Sequence, residues 1–190
     1  MDYLTQYAEL AVRVGVNLRA GQTLFVIGEP EHAPLVRAVA EAGWAAGAGD
    51  VQCVYLDEHV RRLHAINAAE ELLDRTPGWL ETAALATDGI ALVQTLGDAD
   101  PNLFADVDPS RAARAEPRRL REITTDLVSR LATAWTIIAC PTDGWAASLF
   151  GEPDTARLWK RSPPSRAWMS AIQSLPGACT SPHCRNALSS

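Results

Sequence analysis

The chain has 190 residues, 47% of them hydrophobic, with a net charge of -6 and an isoelectric point near 5.2. That composition supplies one globular core of ordinary size and argues against a general nucleic-acid binder, since neutralising phosphate needs a basic surface. Apolar runs such as Trp135 to Cys140 are far short of the ~20 residues a membrane span requires, and Met1-Asp2-Tyr3 leads into no basic-then-apolar leader, so neither insertion nor export is expected.

Taken in chain order, Tyr3 to Leu18 carries Leu4, Tyr7, Ala8, Ala11, Val12 and Val14 near helical spacing, and Ala20-Gly21 closes it with a turn signal. Thr23 to Ile27 is a short apolar run ending in Gly28 and reads as a buried strand. Pro34 sits in the first turn of a helix to about Ala46, with Leu35, Val36, Val39 and Ala42 inward and Gly47-Ala48-Gly49 as its stop. Val51 to Leu56 gives a second strand, followed by a helix from about Glu58 to Ala68 and a short one near Ala69 to Leu73. Trp79 to Thr87 reads as helix, Gly89 to Leu96 as strand, Ser110 to Ala132 as one long polar-faced helix, and Trp135 to Cys140 as a fourth strand. Strands alternating with helices at this spacing predict an α/β fold, a mostly parallel sheet with helices on both faces.

Near Lys160 the pattern ends. Arg161-Ser162-Pro163-Pro164-Ser165 opens a stretch with Pro176, Pro182, scattered Ser and two Cys but no apolar face. The expected organisation is therefore residues 1–160 as one α/β domain and 161–190 as an aberrant, disordered tail. Of the four cysteines, Cys53 and Cys140 fall in predicted strands and read as buried free thiols of a reducing compartment. Cys179, His183 and Cys184 offer three donors without the paired C-x-x-C spacing of a structural zinc site. The basic stretch Arg111 to Arg121 is interleaved with Glu116 and flanked by Glu122, and reads as a solvated helix face.

Doubly wound sheets bind ligands at the carboxyl ends of their strands, which directs attention to three loops. Gly28-Glu29-Pro30-Glu31-His32 has one glycine and two carboxylates, so it repels phosphate and reads as a loop with an acidic helix start, favourable to the helix dipole. Gly97-Asp98-Ala99-Asp100-Pro101, with Asp106 and Asp108, could gather carboxylates for a cation or for acid–base work, but turn and cap roles explain it, with Asp108-Pro109-Ser110 as a helix start. Cys140-Pro141-Thr142-Asp143-Gly144-Trp145 puts a thiol at a strand end. A nucleophilic cysteine needs a histidine beside it, and spacing places none of His32, His59, His64 or His183 there. His59 and His64 do not form H-E-x-x-H and read as surface or boundary residues on the helix that carries Arg61 and Arg62. There is no G-x-S-x-G elbow, Walker loop or repeated C-x-x-C, so no catalytic, cofactor-binding or metal residue is assigned from the motifs.

Several segments resemble one family when taken in order: Tyr7 to Val12, Val14 to Leu18, Gly21-Gln22 and Ala33 to Arg37. The series continues through Val54 to Asp57, Arg61-Arg62, Gly97-Asp98, Asp100-Pro101, Asp108-Pro109, Trp135 to Ile137, Pro141-Thr142 and Trp145-Ala146. Over residues 3 to 160 this is similar to the N-terminal, Rossmann-like domain of the thermophilic metallo-aminopeptidases, the aminopeptidase T and aminopeptidase S group. The resemblance implies a cytoplasmic, dimeric exopeptidase that takes N-terminal residues from peptides and uses two divalent ions, zinc or cobalt. It places those metal ligands in a C-terminal domain, so none carries over to this chain, and gives Asp98, Asp100 and Asp108 structural or cleft-wall roles.

The genetic code bears on the tail. Trp168 and Met169 have single codons, so the triplet that straddles them must be GAT, encoding Asp, and the shifted frame permits a Leu-Asp-Glu run, one Arg and then Asp-Pro-Val-Ala-Ala-Trp. That resembles the family's helix and linker, and the expectation is an out-of-frame tail on a truncated, inactive chain. The alternatives are a stand-alone module that binds a full-length paralogue, or an independent enzyme using Cys140 or the Asp98 loop.

Overall fold

The structure is a computed structural model and describes residues 3–86, 89–98, 100–130 and 133–161; the predicted tail lies outside the described residues. Four parallel strands, β1 (Thr23–Gly28), β2 (Asp50–Tyr55), β3 (Ala91–Leu96) and β4 (Ala134–Ala139), form one sheet in the order β2-β1-β3-β4. Register runs Leu24 to Val51, Leu24 to Ala91 and Ala91 to Ala134, so residues paired across the sheet point to a common face.

The first face is covered by α1 (Tyr3–Leu10), a π-helical turn (Ala11–Gly15) and α2 (Ala33–Ala45). Ala8, Ala11, Val12, Leu35, Val36 and Val39 pack there on Leu24, Val26, Ala91, Val93 and Ile138, forming the main core. Helix one thus ends before the predicted Leu18: Val16 N–H donates to Ala11 O at 2.9 Å, a widened turn, and Asn17 takes a positive φ of 46°. After α7 (Asp143–Phe150), helix α8 (Thr155–Arg161) returns to this side, where the Trp159 ring meets Tyr3 and Tyr7 edge-on at 5.2 and 5.6 Å.

The second face is roofed by α4 (Gly78–Leu85) and α6 (Arg118–Ser129). These two helices share a small core of Ala84, Leu120, Ile123 and Leu127, and leave an apolar cavity over Phe25, Ile27, Val54 and Leu92. A third cluster joins α3 (Glu58–Asn67) to α5 (Pro109–Arg114) through Ala65, Leu73, Val107, Ala115 and Phe104.

Three sequence expectations are corrected here. The long helix from Ser110 is two helices, because Pro117 has no N–H to give and its ring blocks continuation; α5 closes at Ala115 and α6 restarts after Pro117. Cys53 is exposed, on a strand that lies at the edge of the sheet. The basic stretch is only partly a solvated face: Arg119 and Arg121 pair with Glu122 and Glu116, but Arg111 donates to Ala65 O at 2.8 Å and Ala68 O at 2.6 Å, and Arg114 to Glu70 at 2.6 Å, tying α5 to the end of α3.

Candidate functional site

In a sheet ordered β2-β1-β3-β4 the chain leaves β1 toward one side and later returns on the other, so the crevice for a ligand lies beyond the carboxyl ends of β1 and β3. Here a protein side chain fills it. A short 3-10 turn, Pro30–His32, carries His32 over the strand ends, where its side chain is fully buried. Nε2 lies 3.0 Å from Gly97 O, and Nδ1 lies 2.9 Å from Thr95 Oγ1 and accepts the Glu29 N–H at 3.3 Å. A carbonyl only accepts and an amide N–H only donates, so the network assigns the neutral tautomer with its proton on Nε2. Burial holds the imidazole below its ordinary range, with the Gly97 carbonyl and Glu31 opposing.

Glycine makes the fit possible at both strand ends. A Cβ on Gly28 would stand 2.6 Å from Thr95 Oγ1, and one on Gly97 would stand 2.1 Å from Cys140 O and 3.4 Å from His32 Nε2. The third loop closes the same crest: Cys140 N–H donates to Leu96 O at 2.7 Å, and Thr142 caps α7 through Trp145 N–H at 3.2 Å while its hydroxyl donates to Asp98 O.

The structure thus brings His32 Nε2 and the Cys140 carbonyl together beside Gly97, a juxtaposition that spacing alone did not give. It does not make a nucleophile of the thiol. Burial, with Glu29 adding to it, pushes Cys140 up to about 12, and both ring nitrogens of His32 are already engaged by Gly97, Thr95 and Glu29. Glu29 is raised to about 7, first by burial and then by Glu58, Glu31 and Asp98, with Arg61 opposing. The legible trace of this arrangement was the glycine at the end of each of two strands; nothing in the sequence marked His32 as the residue that uses them.

The remaining candidates have structural employment. Asp108 accepts from Ser110 and Arg111 N–H at 3.0 and 3.1 Å as the cap of α5, and Asp100 accepts from Asn102 N–H at 2.9 Å. Asp106 pairs with Arg62 at 2.5 Å, and Glu58 with Arg61, whose guanidinium stacks 4.1 Å over Phe104. His59 is exposed, and the half-buried His64 meets Leu73 O at 3.3 Å. Among the described residues no group of three or more His, Cys, Asp or Glu could hold a metal ion, and no helix is long and apolar enough to cross a membrane.

A family model described as thermophilic metalloprotease (M29) matches residues 1–162. The chain belongs to the M29 metalloprotease family. It is 37% identical over 165 residues to aminopeptidase 2 of Geobacillus stearothermophilus and 34% identical over 165 residues to aminopeptidase T of Thermus thermophilus. Each match covers 83% of this M29 chain and 40% of the relative, so the chain spans less than half the length of those enzymes. The structure of wild-type AmpT from Thermus thermophilus superposes with a TM-score of 0.76 at 28% identity, covering 90% of this chain and 46% of that one. The α/β fold expected from strand and helix spacing is therefore the fold of this M29 chain. Of its described carboxylates, Asp100 and Asp108 serve as turn and helix caps and Asp106 and Glu58 are held in ion pairs.

Proposed function

We propose that residues 3–161 are the N-terminal α/β domain of a broad-specificity aminopeptidase that uses two divalent ions, zinc or cobalt, to remove N-terminal residues from peptides in the cytoplasm. In this reading the ions are held by residues other than those described, and the 190-residue chain by itself does not hydrolyse peptides. One observation carries it: the M29 match runs over residues 1–162, a span that covers 40% of the length of the aminopeptidases it resembles, while the described residues gather no group of three or more His, Cys, Asp or Glu that could hold a metal ion. The test is hydrolysis of leucyl-p-nitroanilide by the purified chain with zinc or cobalt added. The expected rate equals the protein-free blank, and metal-dependent turnover overturns the reading.

We infer also that residues 161–190 are read out of frame. The family match stopping at residue 162 supports this, and sequencing the gene from the Thr155 codon past Ser190 decides it. A shifted frame that fails to continue into M29 sequence removes the idea.

A second reading, a module that binds a full-length relative or a second copy, is favoured by two exposed apolar faces. Leu96, Trp135 and Ile137 share the second face of the sheet at its β4 edge and are 56%, 42% and 49% exposed; Val60, Leu63 and Ile66 line α3 at 60%, 56% and 45%. Light scattering should then show a species above the monomer mass. A monomer that also fails to co-purify with full-length enzyme contradicts it.

A further inference from the structure

We propose that His32 is a proton-operated latch on the crest of the sheet, with the Thr95 hydroxyl as its two-position partner. The ring ties three elements together: Nδ1 takes the Glu29 N–H at the start of the turn that leads into α2, and also meets Thr95 on β3, while Nε2 takes the turn after β3 through Gly97 O. Thr95 Oγ1 has a second contact, with Ile27 O at 3.3 Å.

A threonine hydroxyl has one proton and two lone pairs, which gives the cluster two self-consistent settings. With the ring neutral, Nδ1 is an acceptor whose single lone pair is shared between the Thr95 hydroxyl proton at 2.9 Å and the longer contact from the Glu29 N–H at 3.3 Å. With the ring protonated, Nδ1–H becomes a donor and Thr95 Oγ1 its acceptor at the same 2.9 Å, while the hydroxyl proton turns to Ile27 O. Nε2–H stays on Gly97 O in both settings. The Glu29 N–H is what changes: in the protonated setting two donors face each other, and the backbone amide at the entry to the 3-10 turn loses its partner.

The charged groups around the ring set the range. Burial opposes the imidazolium, and Glu31, on the same turn, favours it. The wider set facing this crest is Glu29, Glu58 and Asp98, with Arg61 of opposite sign and the Cys140 thiol protonated beneath them. Glu29 itself titrates near neutral pH, so the experiment is also run on Glu29→Gln, which leaves the backbone amide in place.

The test is nitrogen NMR of the histidine rings of the full chain, with His32 identified by comparison with His32→Gln, together with amide-exchange protection factors for Glu29 between pH 7.5 and 5. The expected result is the Nε2–H tautomer at pH 7.5 and a titration midpoint below 6.5. As the ring charges, protection at Glu29 falls at least tenfold, in Glu29→Gln as in the wild type. Thr95→Val, which keeps the shape and removes the acceptor, should lower the His32 midpoint by about one pH unit, with the neutral setting intact at pH 7.5. A proton on Nδ1 at pH 7.5, a Glu29 amide whose protection ignores the His32 titration, or a midpoint unmoved in Thr95→Val overturns the latch.

Discussion

Gly97 shows what one missing methyl group allows. With a Cβ 2.1 Å from the Cys140 carbonyl oxygen, Gly97→Ala must displace backbone rather than a movable side chain, and is expected to cost about 2 kcal/mol or more in denaturant unfolding. Glu29 is the residue whose charge this crest resists. Its folded pKa of about 7 lies above the ordinary 4.5, so the folded state binds the extra proton; this contribution to stability is full below pH 4.5 and is lost as pH rises through 7. Glu29→Gln removes that loss, and after discounting for partial exposure it should gain about 1 kcal/mol over the wild type at pH 8 and nothing at pH 4. An equal effect at both pH values would mean the gain is not electrostatic. The thiols differ for the same reason of environment: iodoacetamide mapping by mass spectrometry should label exposed Cys53 in the native chain and Cys140 only in denaturant. Sequence read both as buried because both fall in strands; it could not show that β2 lies at the sheet edge.

At the scale of elements, the break between α5 and α6 follows from Pro117, and the sequence contained that signal: a proline inside a helical pattern ends the helix, whatever the polar periodicity around it. The cap at Asp108 was legible as Asp-Pro-Ser, and Asp108→Ala should cost about 1 kcal/mol, read as a lower denaturation midpoint with unchanged slope. Helix α8 is a different case. Its attachment rests on Trp159 lying edge-on to Tyr3 and Tyr7, and the Tyr7 phenol accepts the Ala139 N–H at 3.0 Å, so α8 is fastened to α1, which is itself tied to β4. Trp159→Ala is expected to lose about 2–3 kcal/mol. A change within experimental error would show that α8 contributes little to the fold.

For the whole molecule, the strand order matters more than any single loop. It creates one crevice between β1 and β3, and the chain spends that crevice on its own histidine. Asp108 caps α5, and Asp106 and Glu58 are held by Arg62 and Arg61, in a chain whose residues 1–162 match the M29 family. Because α8 closes back on α1, residues 1–161 alone should unfold in one cooperative transition at the temperature of the full chain; a drop of several degrees would assign the tail a structural role.

The sequence by itself determined the parallel α/β class, the four strands and the Asp108 cap, because these depend on residue type at fixed local spacing: apolar runs, helical stripes, glycine and proline stops. The family was legible as a resemblance carried by an ordered series of segments. What only the tertiary structure decided is which residues meet. His32, Thr95 and Gly97 are separated by 63 and 65 residues along the chain and come together through the order of the strands. The same order leaves β2 and β4 at the edges, and so exposes Cys53 and Trp135. A period of two assigns a side chain to a face of the sheet, but it carries no information about whether another element covers that face.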